Sequence, residues 1–324
     1  MSPGQPAAGD PVVQPEVVAV FGPTGIGKTG VVLELTDLLR SRGEDPVAIN
    51  CDAIQVYDGL EIISGAAGTG DRQRLEHRLI GFVPVTEEYS AGRYGERAHV
   101  EIDSLLAEGR RPILVGGTGL YLRAALTEID FRPAVPEELR EQVEREVEQQ
   151  GPAAMHATLP DGFRESIHPN DRKRIARTIE LIRDGQTPAP DHQGGGELWT
   201  AELRRPTLLF GLADENEPLV ERIVHRVDEM ARRGAAEEVR RADRQGASRT
   251  ARAAIGFREF AEGDLDRVKL LHRRYGRRQM TWMRRMAGVT VIERDRRSDA
   301  TIAADLLDRI DRGSGQNAGP GSSG

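Results

Sequence analysis

Continuous apolar runs and helically spaced apolar positions alternate along the first third of the chain. The runs cover residues 17–22, 46–52 and 111–119, and a fourth run follows much later at 205–212. Between the first two runs, a helical stretch closed by Gly43 has its apolar positions at Val31, Val32, Leu35, Leu38 and Leu39. Uninterrupted apolar strands that alternate with helices predict an α/β fold, in which helices flank both faces of a parallel sheet.

Beyond Leu126 the pattern changes to charged helices with narrow apolar stripes. A first helix follows Val135, and a second begins after Asn170 or Asp171, either of which can cap its first turn. The apolar positions of these two helices are Leu139, Val143, Val147, Ile175, Ile179 and Ile182. Lys173 and Arg177 are predicted on the opposite face of the second helix.

These changes predict a discontinuous core with a helical insertion. The Pro- and Ala-rich start and the Gly- and Ser-rich end have the composition of disordered segments. The predicted segments are a disordered N-terminus at 1–15, the first part of the core at 16–127, a helical insertion at 128–200, the remainder of the core with C-terminal basic helices at 201–312, and a disordered tail at 313–324.

The predicted C-terminal helices differ in what their stripes contain. The first has the purely apolar positions Leu219, Ile223, Val227 and Met230. The last has the apolar positions Val268, Leu271, Tyr275, Trp282 and Met286. Gln279 falls in this last stripe, and a buried amide needs hydrogen-bond partners, so Gln279 is either a satisfied core residue or part of a binding surface.

Charge is unevenly distributed along a chain with a formal net charge of −7. Residues 272–286 and 172–177 are both rich in arginine or lysine, and such clusters either bind a polyanion or are solvated helix faces. The sequence has one cysteine, Cys51, no signal-peptide pattern and no apolar run long enough to cross a bilayer. These features predict a cytoplasmic protein without an internal disulfide, a cysteine-rich zinc site or a membrane partner.

The first apolar run leads into FGPTGIGKTG, which fits the pattern G-x-x-x-x-G-K-[ST] at Gly22, Gly27, Lys28 and Thr29. Glycines let the backbone approach a phosphate, and the amides at the following helix start complement its charge. Lys28 is expected to reach the outer phosphate, and the Thr29 hydroxyl is expected to bind Mg²⁺. The strand before and the helix after are both predicted, so the fold is P-loop NTPase-like. The motif does not identify the molecule that carries the phosphate.

The second apolar run ends at Asp52, and the carboxyl edge of an open α/β sheet is where ligands bind. A carboxylate there can hold Mg²⁺ through water or take a proton from a nucleophile, unless it only caps the strand end. Gln55 and Tyr57 follow as polar groups near the same rim.

The third run ends in Gly116, Gly117 and Thr118, where an NTPase is expected to have an aspartate for its metal. The glycines predict close backbone approach to a ligand, and Thr118 offers a neutral hydroxyl. Arg123, about one helical turn later, either meets a phosphate or is a surface arginine. A phosphate loop and a carboxylate without a second acidic residue from this strand favour chemistry other than hydrolysis.

Taken in order, these motifs resemble the tRNA dimethylallyltransferases, also called tRNA isopentenyltransferases, over about residues 17–290. The segments that carry the resemblance are GPTGIGKT, DAIQVYDGLEI, GGTGLYLRAAL, HPNDRKRIARTIEL, AIGFREF and RRYGRRQMTWMRR. Such enzymes move the prenyl group of dimethylallyl diphosphate to the exocyclic N6 amine of adenine 37, which is 3′-adjacent to the anticodon, and release diphosphate. The resemblance therefore implies that the loop holds a leaving diphosphate together with Mg²⁺, and that no ATP is needed.

Position by position, the resemblance implies that Asp52 is the general base and that Thr118 lies beside the reacting centre. The implied diphosphate-binding residues are Gly22, Pro23, Thr24, Gly25, Ile26, Gly27, Lys28, Arg123 and Thr29, the last also binding the metal. The implied tRNA-binding residues are Asp52, Ala53, Ile54, Gln55, Arg140, Lys173, Arg174, Arg177, Gly256, Arg258, Arg277, Arg278, Gln279 and Trp282. The insertion would grip the anticodon stem of the tRNA partner, the adenine would leave its stack, and the enzyme would act as a monomer.

The chain departs from the family pattern in three places. Ala53 follows Asp52 where the family commonly has serine, so a hydroxyl beside the base is missing. The segment after DGLEI lacks the usual lysine. Gly276 interrupts the last helix, where glycine costs up to ~1 kcal/mol relative to alanine.

Three other functions fit parts of the sequence. A free adenine-nucleotide isopentenyltransferase resembles the first half but does not need the two basic clusters. A small-molecule P-loop kinase would use Asp52 toward a substrate hydroxyl, and the basic helix from Asn170 could be mistaken for the arginine-bearing lid of such a kinase. An RNA-binding module with a degenerate loop is disfavoured because Lys28 and Thr29 are intact.

Overall fold

The computed structural model describes residues 17–129, 131, 135–186, 201–214 and 217–316. The chain divides into two compact units, one formed by 1–127 with 201–324 and the other by 128–200. The predicted disordered N-terminus lies outside the described residues. None of the described helices has the length and apolar character required to cross a membrane.

A parallel sheet forms the centre of the first unit. The strands are β1 (Val17–Phe21), β2 (Pro46–Asn50), β3 (Tyr57–Asp58), β4 (His77–Arg78), β5 (Val83–Pro84), β6 (Arg111–Gly116), β7 (Thr207–Ala213) and β8 (Thr290–Glu293). The large sheet has the order β4-β2-β6-β1-β7-β8, and β3 and β5 form a separate parallel pair. The predicted α/β fold with a parallel central sheet is confirmed.

The position of β1 at the middle of the sheet follows from its sequence. Every residue of β1 is buried, as its continuous apolar run predicts. Val18 lies opposite Ile113 of β6 and opposite Leu208 of β7. Because all neighbouring strands are parallel, the loops after β1, β2, β6 and β7 leave the sheet at the same edge.

Helices cover this sheet. In the first unit they are α1 (Lys28–Arg40), α2 (Glu61–Ser64), α3 (Thr69–Arg74), α4 (Ala91–Ala107), α5 (Gly119–Leu126), α10 (Glu217–Arg232), α11 (Ala235–Arg244), α12 (Arg249–Arg252), α13 (Phe257–Glu262), α14 (Leu265–Arg285) and α15 (Asp299–Gln316). The helices of the second unit are α6 (Glu137–Gln150), α7 (Pro152–Ala157), α8 (Asp161–Ser166) and α9 (Arg172–Arg183). Helix α1 packs against α15, and α10 packs against α14.

The second unit has its own apolar core. Val143, Val147, Ile175 and Ile179 are buried there and pack with the phenylalanine of α8, Phe163. Asp171 caps α9 by accepting a hydrogen bond from the Arg174 amide at 3.2 Å. The core is small, so this unit derives its stability from these few apolar side chains.

Several predicted boundaries differ from the structure. The second strand ends at Asn50 rather than Asp52, because the following residues form hydrogen-bonded turns. Ile182 is 37% exposed, while its neighbour Leu181 is buried instead. The predicted tail at 313–324 begins too early, because helix α15 continues to Gln316. Strand β8 and helix α15 were not predicted.

Candidate active site

The phosphate loop connects β1 to α1 and has the backbone conformation that its glycines permit. Gly25 and Gly27 have positive φ angles of 81° and 90°, which side chains with a Cβ rarely adopt. The Lys28 ammonium lies inside the loop and donates to the carbonyl oxygens of Gly22 and Pro23, each at 3.0 Å. The loop is therefore folded around the lysine that the motif predicted to contact a phosphate.

Only some amides of this loop are available to an anion. The Thr24 amide donates to the Gln279 side chain at 2.8 Å, and the Ile26 amide donates to the Pro23 carbonyl at 3.3 Å. Pro23 has no amide hydrogen. Within the described part of the chain, no acceptor is recorded for the amides of Gly25, Gly27, Lys28 and Thr29. The Thr24 and Ile26 amides therefore already have acceptors in this structure, and the predicted diphosphate contacts of Pro23, Thr24 and Ile26 stay predictions.

A second cation reaches this site from helix α10. Arg226 donates to the Ser64 carbonyl oxygen at 3.0 Å, and its Nη2 occupies the space beside Gly65 where a Cβ would lie. The pKa of Lys28 is lowered to about 7, chiefly by burial and also by Arg226, while Asp52 acts in the opposite direction. Burial also lowers the pKa of Arg226, and Asp52 again acts in the opposite direction. Lys28 and Arg226 are thus two buried cations close to one carboxylate, an arrangement that favours the binding of an anion.

Asp52 is positioned by a turn that begins at the end of β2. The Asn50 side chain accepts from the Asp52 amide at 3.0 Å and donates to the Leu79 carbonyl at 2.9 Å. The Asp52 carboxylate accepts from the Ile54 amide at 2.9 Å and from the Gln55 amide at 3.4 Å through Oδ1. Its other oxygen, Oδ2, has no recorded hydrogen bond in the described residues, and Asp52 is partly exposed. One carboxylate oxygen thus fixes the turn and the other remains available.

Thr118 connects this turn to the end of β6. Its hydroxyl accepts from the Ala53 amide at 3.1 Å and lies 3.4 Å from the Tyr275 hydroxyl. Burial raises the pKa of Tyr275, and the nearby Asp52 carboxylate raises it further. The structure therefore brings Asp52 and Thr118 together, as the resemblance implies, and adds Tyr275.

The glycines at and after the end of β6 leave space that other parts of the protein fill. A Cβ on Gly116 would overlap the Cys51 backbone, one on Gly117 would overlap the Gln279 amide, and one on Gly119 would overlap the Trp282 ring. Other parts of the protein thus approach these glycines closely, and the predicted approach of a ligand stays a prediction. The contacts at Gly117 and Gly119 dock α14 against the end of β6.

Gln279 is a core residue that joins two loops of the site. It is 3% exposed, its Oε1 accepts from the Thr24 amide, and its Nε2 donates to the Gly117 carbonyl at 2.7 Å. Gln279 is therefore not on the surface of this structure, and its predicted contact with tRNA stays a prediction. The partners that a buried amide requires come from the phosphate loop and from the end of β6.

Replacing Gln279 with leucine is expected to lower the free energy of unfolding by about 1–3 kcal/mol for each group left unpaired. Leucine leaves both the Thr24 amide and the Gly117 carbonyl without a partner. Urea unfolding measures the change. Gln73→Leu, at an exposed glutamine in α3, is the matched control and is expected to change stability little. An equal, small effect of both substitutions would contradict the joining role of Gln279.

His272 lies on the same buried face of α14. It is 4% exposed, and neither ring nitrogen has a hydrogen-bond partner among the described residues. Burial lowers the pKa of His272 to about 4, and Arg226 contributes in the same direction. The imidazole is therefore neutral in the folded protein at neutral pH.

This histidine predicts a specific loss of stability in acid. Between the pKa of an unfolded histidine, about 6.5, and that of the folded one, only the unfolded state binds the proton, so stability falls as pH falls. From pH 7 to pH 5 the loss from this group is about 2 kcal/mol. Urea unfolding of His272→Met at both pH values is expected to show a smaller pH dependence. His225→Gln, at an exposed histidine in α10, is expected to retain the wild-type dependence.

The predicted RNA-contact residues fall into exposed and buried groups. Lys173, Arg174, Arg258, Arg277 and Arg278 are exposed, and Arg174 is held at 3.5 Å from Asp171. Arg177 is half-buried against Glu180, and Arg140 and Trp282 are partly buried. Gly256 is buried with a φ of 84° at the start of α13, and the Gln55 side chain donates to the Ser64 and Gly65 carbonyls. The exposed arginines and lysine thus remain the candidates for contacts with an RNA backbone.

Arg123 is wholly buried in α5, so the surface reading of this residue is wrong. Burial lowers the pKa of its guanidinium. Its predicted diphosphate contact stays a prediction.

The residues present fit a metal held mainly by a substrate. The Thr29 hydroxyl is partly exposed in the first turn of α1 and has no recorded hydrogen bond in the described residues. No group of three or more His, Cys, Asp or Glu side chains that could hold a metal occurs among these residues. Asp214, at the end of β7, lies 3.7 Å from Arg222. Mg²⁺ commonly takes one or two protein ligands with phosphates and water, and the Thr29 hydroxyl suits one such ligand.

Comparison with known proteins identifies the family. The family model described as IPP transferase matches residues 55–286. The chain belongs to the IPP transferase family. The match begins after the phosphate loop and ends after α14, so it includes Gln55, Thr118, Arg226 and Gln279.

Individual IPP transferase relatives agree along most of the chain. A tRNA dimethylallyltransferase from Salinispora arenicola (strain CNS-205) is 37% identical over 289 residues, covering 83% of this chain and 80% of the relative. One from Nitratidesulfovibrio vulgaris (strain DP4) is 36% identical, covering 83% and 89%. The crystal structure of a tRNA isopentenylpyrophosphate transferase from Bacillus halodurans superposes with a TM-score of 0.65 at 27% identity, covering 94% and 99%. The protein is therefore a prenyltransferase of this family.

Sequence reasoning missed several residues of this IPP transferase site. Asn50 was read as part of a strand, Tyr275 as an apolar stripe position, and His272 only as part of a basic segment. Arg226 carries no signal of its own, because it is one of three arginines in α10. Its nearness to Lys28 becomes visible only when α10 packs beside the loop.

Proposed function

We propose that this protein transfers the dimethylallyl group of dimethylallyl diphosphate to the N6 amine of adenine 37 in tRNA. The observation that carries the proposal is the meeting of Lys28, Arg226 and Asp52 at one sheet edge. Two cations beside a phosphate loop suit a diphosphate, and a carboxylate with a free oxygen suits proton removal. The names of the relatives supply the prenyl donor and the tRNA acceptor.

In the proposed reaction, the adenine amine forms a bond to C1 of the dimethylallyl group while the bond from C1 to the diphosphate oxygen breaks. The Asp52 carboxylate takes the proton that the amine loses. Oδ1 stays hydrogen-bonded to the Ile54 amide, so Oδ2 is the proposed acceptor. Thr118 keeps the Asp52 turn in place through the Ala53 amide.

The diphosphate is proposed to bind the Gly25, Gly27, Lys28 and Thr29 amides, the Lys28 ammonium and the Arg226 guanidinium. An anion would relieve the unfavourable effect of Arg226 on the Lys28 charge, which Asp52 offsets only in part in the free site. Thr29 would hold Mg²⁺, which supplies charge neutralisation on the leaving diphosphate when it is bound. Arg226 thereby provides a cation in a chain that lacks the usual lysine after DGLEI.

The RNA is proposed to contact exposed basic side chains in both units. In α9 these are Lys173 and Arg174, and in the first unit they are Arg258, Arg277 and Arg278. Exposed arginines and lysines suit phosphate contacts, which position a nucleic acid without reading its sequence. We propose that the 128–200 unit grips the anticodon stem, and that the enzyme acts as a monomer in the cytoplasm.

A transfer assay tests this function. Labelled dimethylallyl diphosphate and Mg²⁺ are incubated with an anticodon stem-loop that carries the target adenine, and in parallel with AMP. A stem-loop with guanine at the target position is the matched control. Label is expected in the adenine stem-loop alone.

Other results would replace the proposal with a named alternative. Label in AMP but not in RNA would identify a free-nucleotide prenyltransferase and would reduce the basic side chains to solvated helix faces. No label in either acceptor, together with turnover of ATP, would identify a small-molecule kinase.

A further inference from the structure

A segment that follows the family-model match in the chain contacts the phosphate loop. Strand β8 and helix α15 follow residue 286, where that match ends. The Arg294 amide donates to the Ala213 carbonyl at 2.8 Å, which continues the pairing of β7 with β8 to the edge of the sheet that carries the site. Helix α15 packs on α1, the helix that begins at the phosphate loop.

The Arg294 side chain is buried, and its guanidinium has two defined partners. Nη1 donates to the Ile26 carbonyl oxygen at 2.7 Å, and Nη2 pairs with the Asp299 carboxylate at the start of α15. A Cβ on Gly27 would come within 2.5 Å of Nη1. A Cβ on Gly30 would overlap the Asp299 carboxylate. The Arg294–Asp299 pair therefore occupies the space that two glycines of the loop and of α1 leave open.

This contact fixes the direction of one peptide group in the loop. The chain has no cis peptide bond among the described residues, and in a trans peptide the C=O and N–H bonds point in opposite directions. Because the Ile26 carbonyl points toward Arg294, the Gly27 amide points away from it. That amide has no recorded acceptor in the described part of the chain. The paired carboxylate balances the charge of Arg294, so its effect on the loop is mainly one of orientation.

We propose that Arg294, held by Asp299, is a positioning residue that turns the Gly27 amide toward the diphosphate of the prenyl donor. The inference rests on the proposed function, because the donor diphosphate is the ligand of the loop. It assigns a role in donor binding to the C-terminal strand and helix, which lie outside the matched family segment.

The test compares Arg294→Met with Arg297→Met. Arg297 lies three positions later, also pairs with α15 through Asp305 at 3.0 Å, and does not contact the loop, so it is a matched control. Calorimetry measures the affinity for inorganic pyrophosphate with Mg²⁺, and steady-state assays measure KM for the donor and for the stem-loop. Arg294→Met is expected to weaken pyrophosphate binding and raise donor KM about tenfold, the usual worth of a hydrogen bond to a charged group. KM for RNA and the saturated turnover are expected to change less than about twofold, as is every parameter of Arg297→Met.

Arg294→Lys keeps the charge and can keep one partner, so it is expected to recover part of the affinity. It also carries the test if Arg294→Met does not fold. Wild-type pyrophosphate affinity in a folded Arg294 variant would overturn the inference. Equal rises in KM for donor and for RNA would also overturn it, because they indicate general damage to the enzyme. Wild-type protein that binds no pyrophosphate would instead overturn the proposed function, and this inference with it.

Discussion

Replacing Asp52 with asparagine is expected to lower turnover by about 10²–10⁴-fold, the usual contribution of a positioned general base. Asparagine has the same size, and its Oδ1 can still accept from the Ile54 amide, so the turn is retained. It cannot take the proton that the adenine amine loses. Single-turnover transfer to the stem-loop measures the rate, and a filter-binding assay measures RNA affinity, which is expected to change by less than about threefold.

Asp58→Asn is the matched control for this substitution. Asp58 lies in β3, six positions later, and is exposed, so the control is expected to turn over at the wild-type rate. Near-normal turnover in Asp52→Asn would remove the base assignment, whatever the RNA affinity. A parallel loss of RNA affinity and rate would show that Asp52 acts in binding instead.

The fold was predictable where one local pattern determines it. The β1 run, the phosphate loop and α1 follow from adjacent residues, and the capping of α9 by Asp171 follows from its side chain. Strand β8 was not predictable, because it is four residues long and joins the sheet only by pairing with β7. Its formation depends on a neighbour that lies about eighty positions earlier in the chain.

The site was predictable at the strand ends and only in part on α14. The buried face of α14 includes Gln279, which lies in the predicted stripe, but also His272 and Gly276, which the apolar pattern does not mark. The predicted stripe positions Leu271, Tyr275 and Trp282 are only partly buried. A Cβ on Gly276 would lie at ordinary contact distance from Pro23 and Ile223. The Gln279 side chain accepts a hydrogen bond from the Thr24 amide. These residues are buried because α14 packs across the phosphate loop, which is a tertiary contact. Polar groups at such contacts cannot be distinguished from surface groups by spacing alone.

Replacing Arg226 with methionine is expected to raise donor KM about 30-fold or more, because truncating a buried charge that is paired with a ligand costs about 2–5 kcal/mol. Methionine keeps much of the length and apolar contact of the arginine stem but removes its charge. In the unliganded protein the same change is expected to cost little stability. Burial opposes the charge of Arg226, and the Ser64 carbonyl keeps a donor in Gln55.

Donor KM and melting temperature, measured together, distinguish a role of Arg226 in binding the ligand from a role in stabilising the fold. Arg232→Met, at an exposed arginine on the same helix that pairs with Glu229, is the matched control for donor KM and for the melting temperature. Arg226→Lys is expected to restore part of the donor affinity, because the ammonium returns the charge but not the two-pronged geometry. A large drop in melting temperature without a change in donor KM would show that Arg226 supports the fold rather than the diphosphate. A raised donor KM at an unchanged melting temperature is the result expected of a cation that a buried site retains for its anionic substrate.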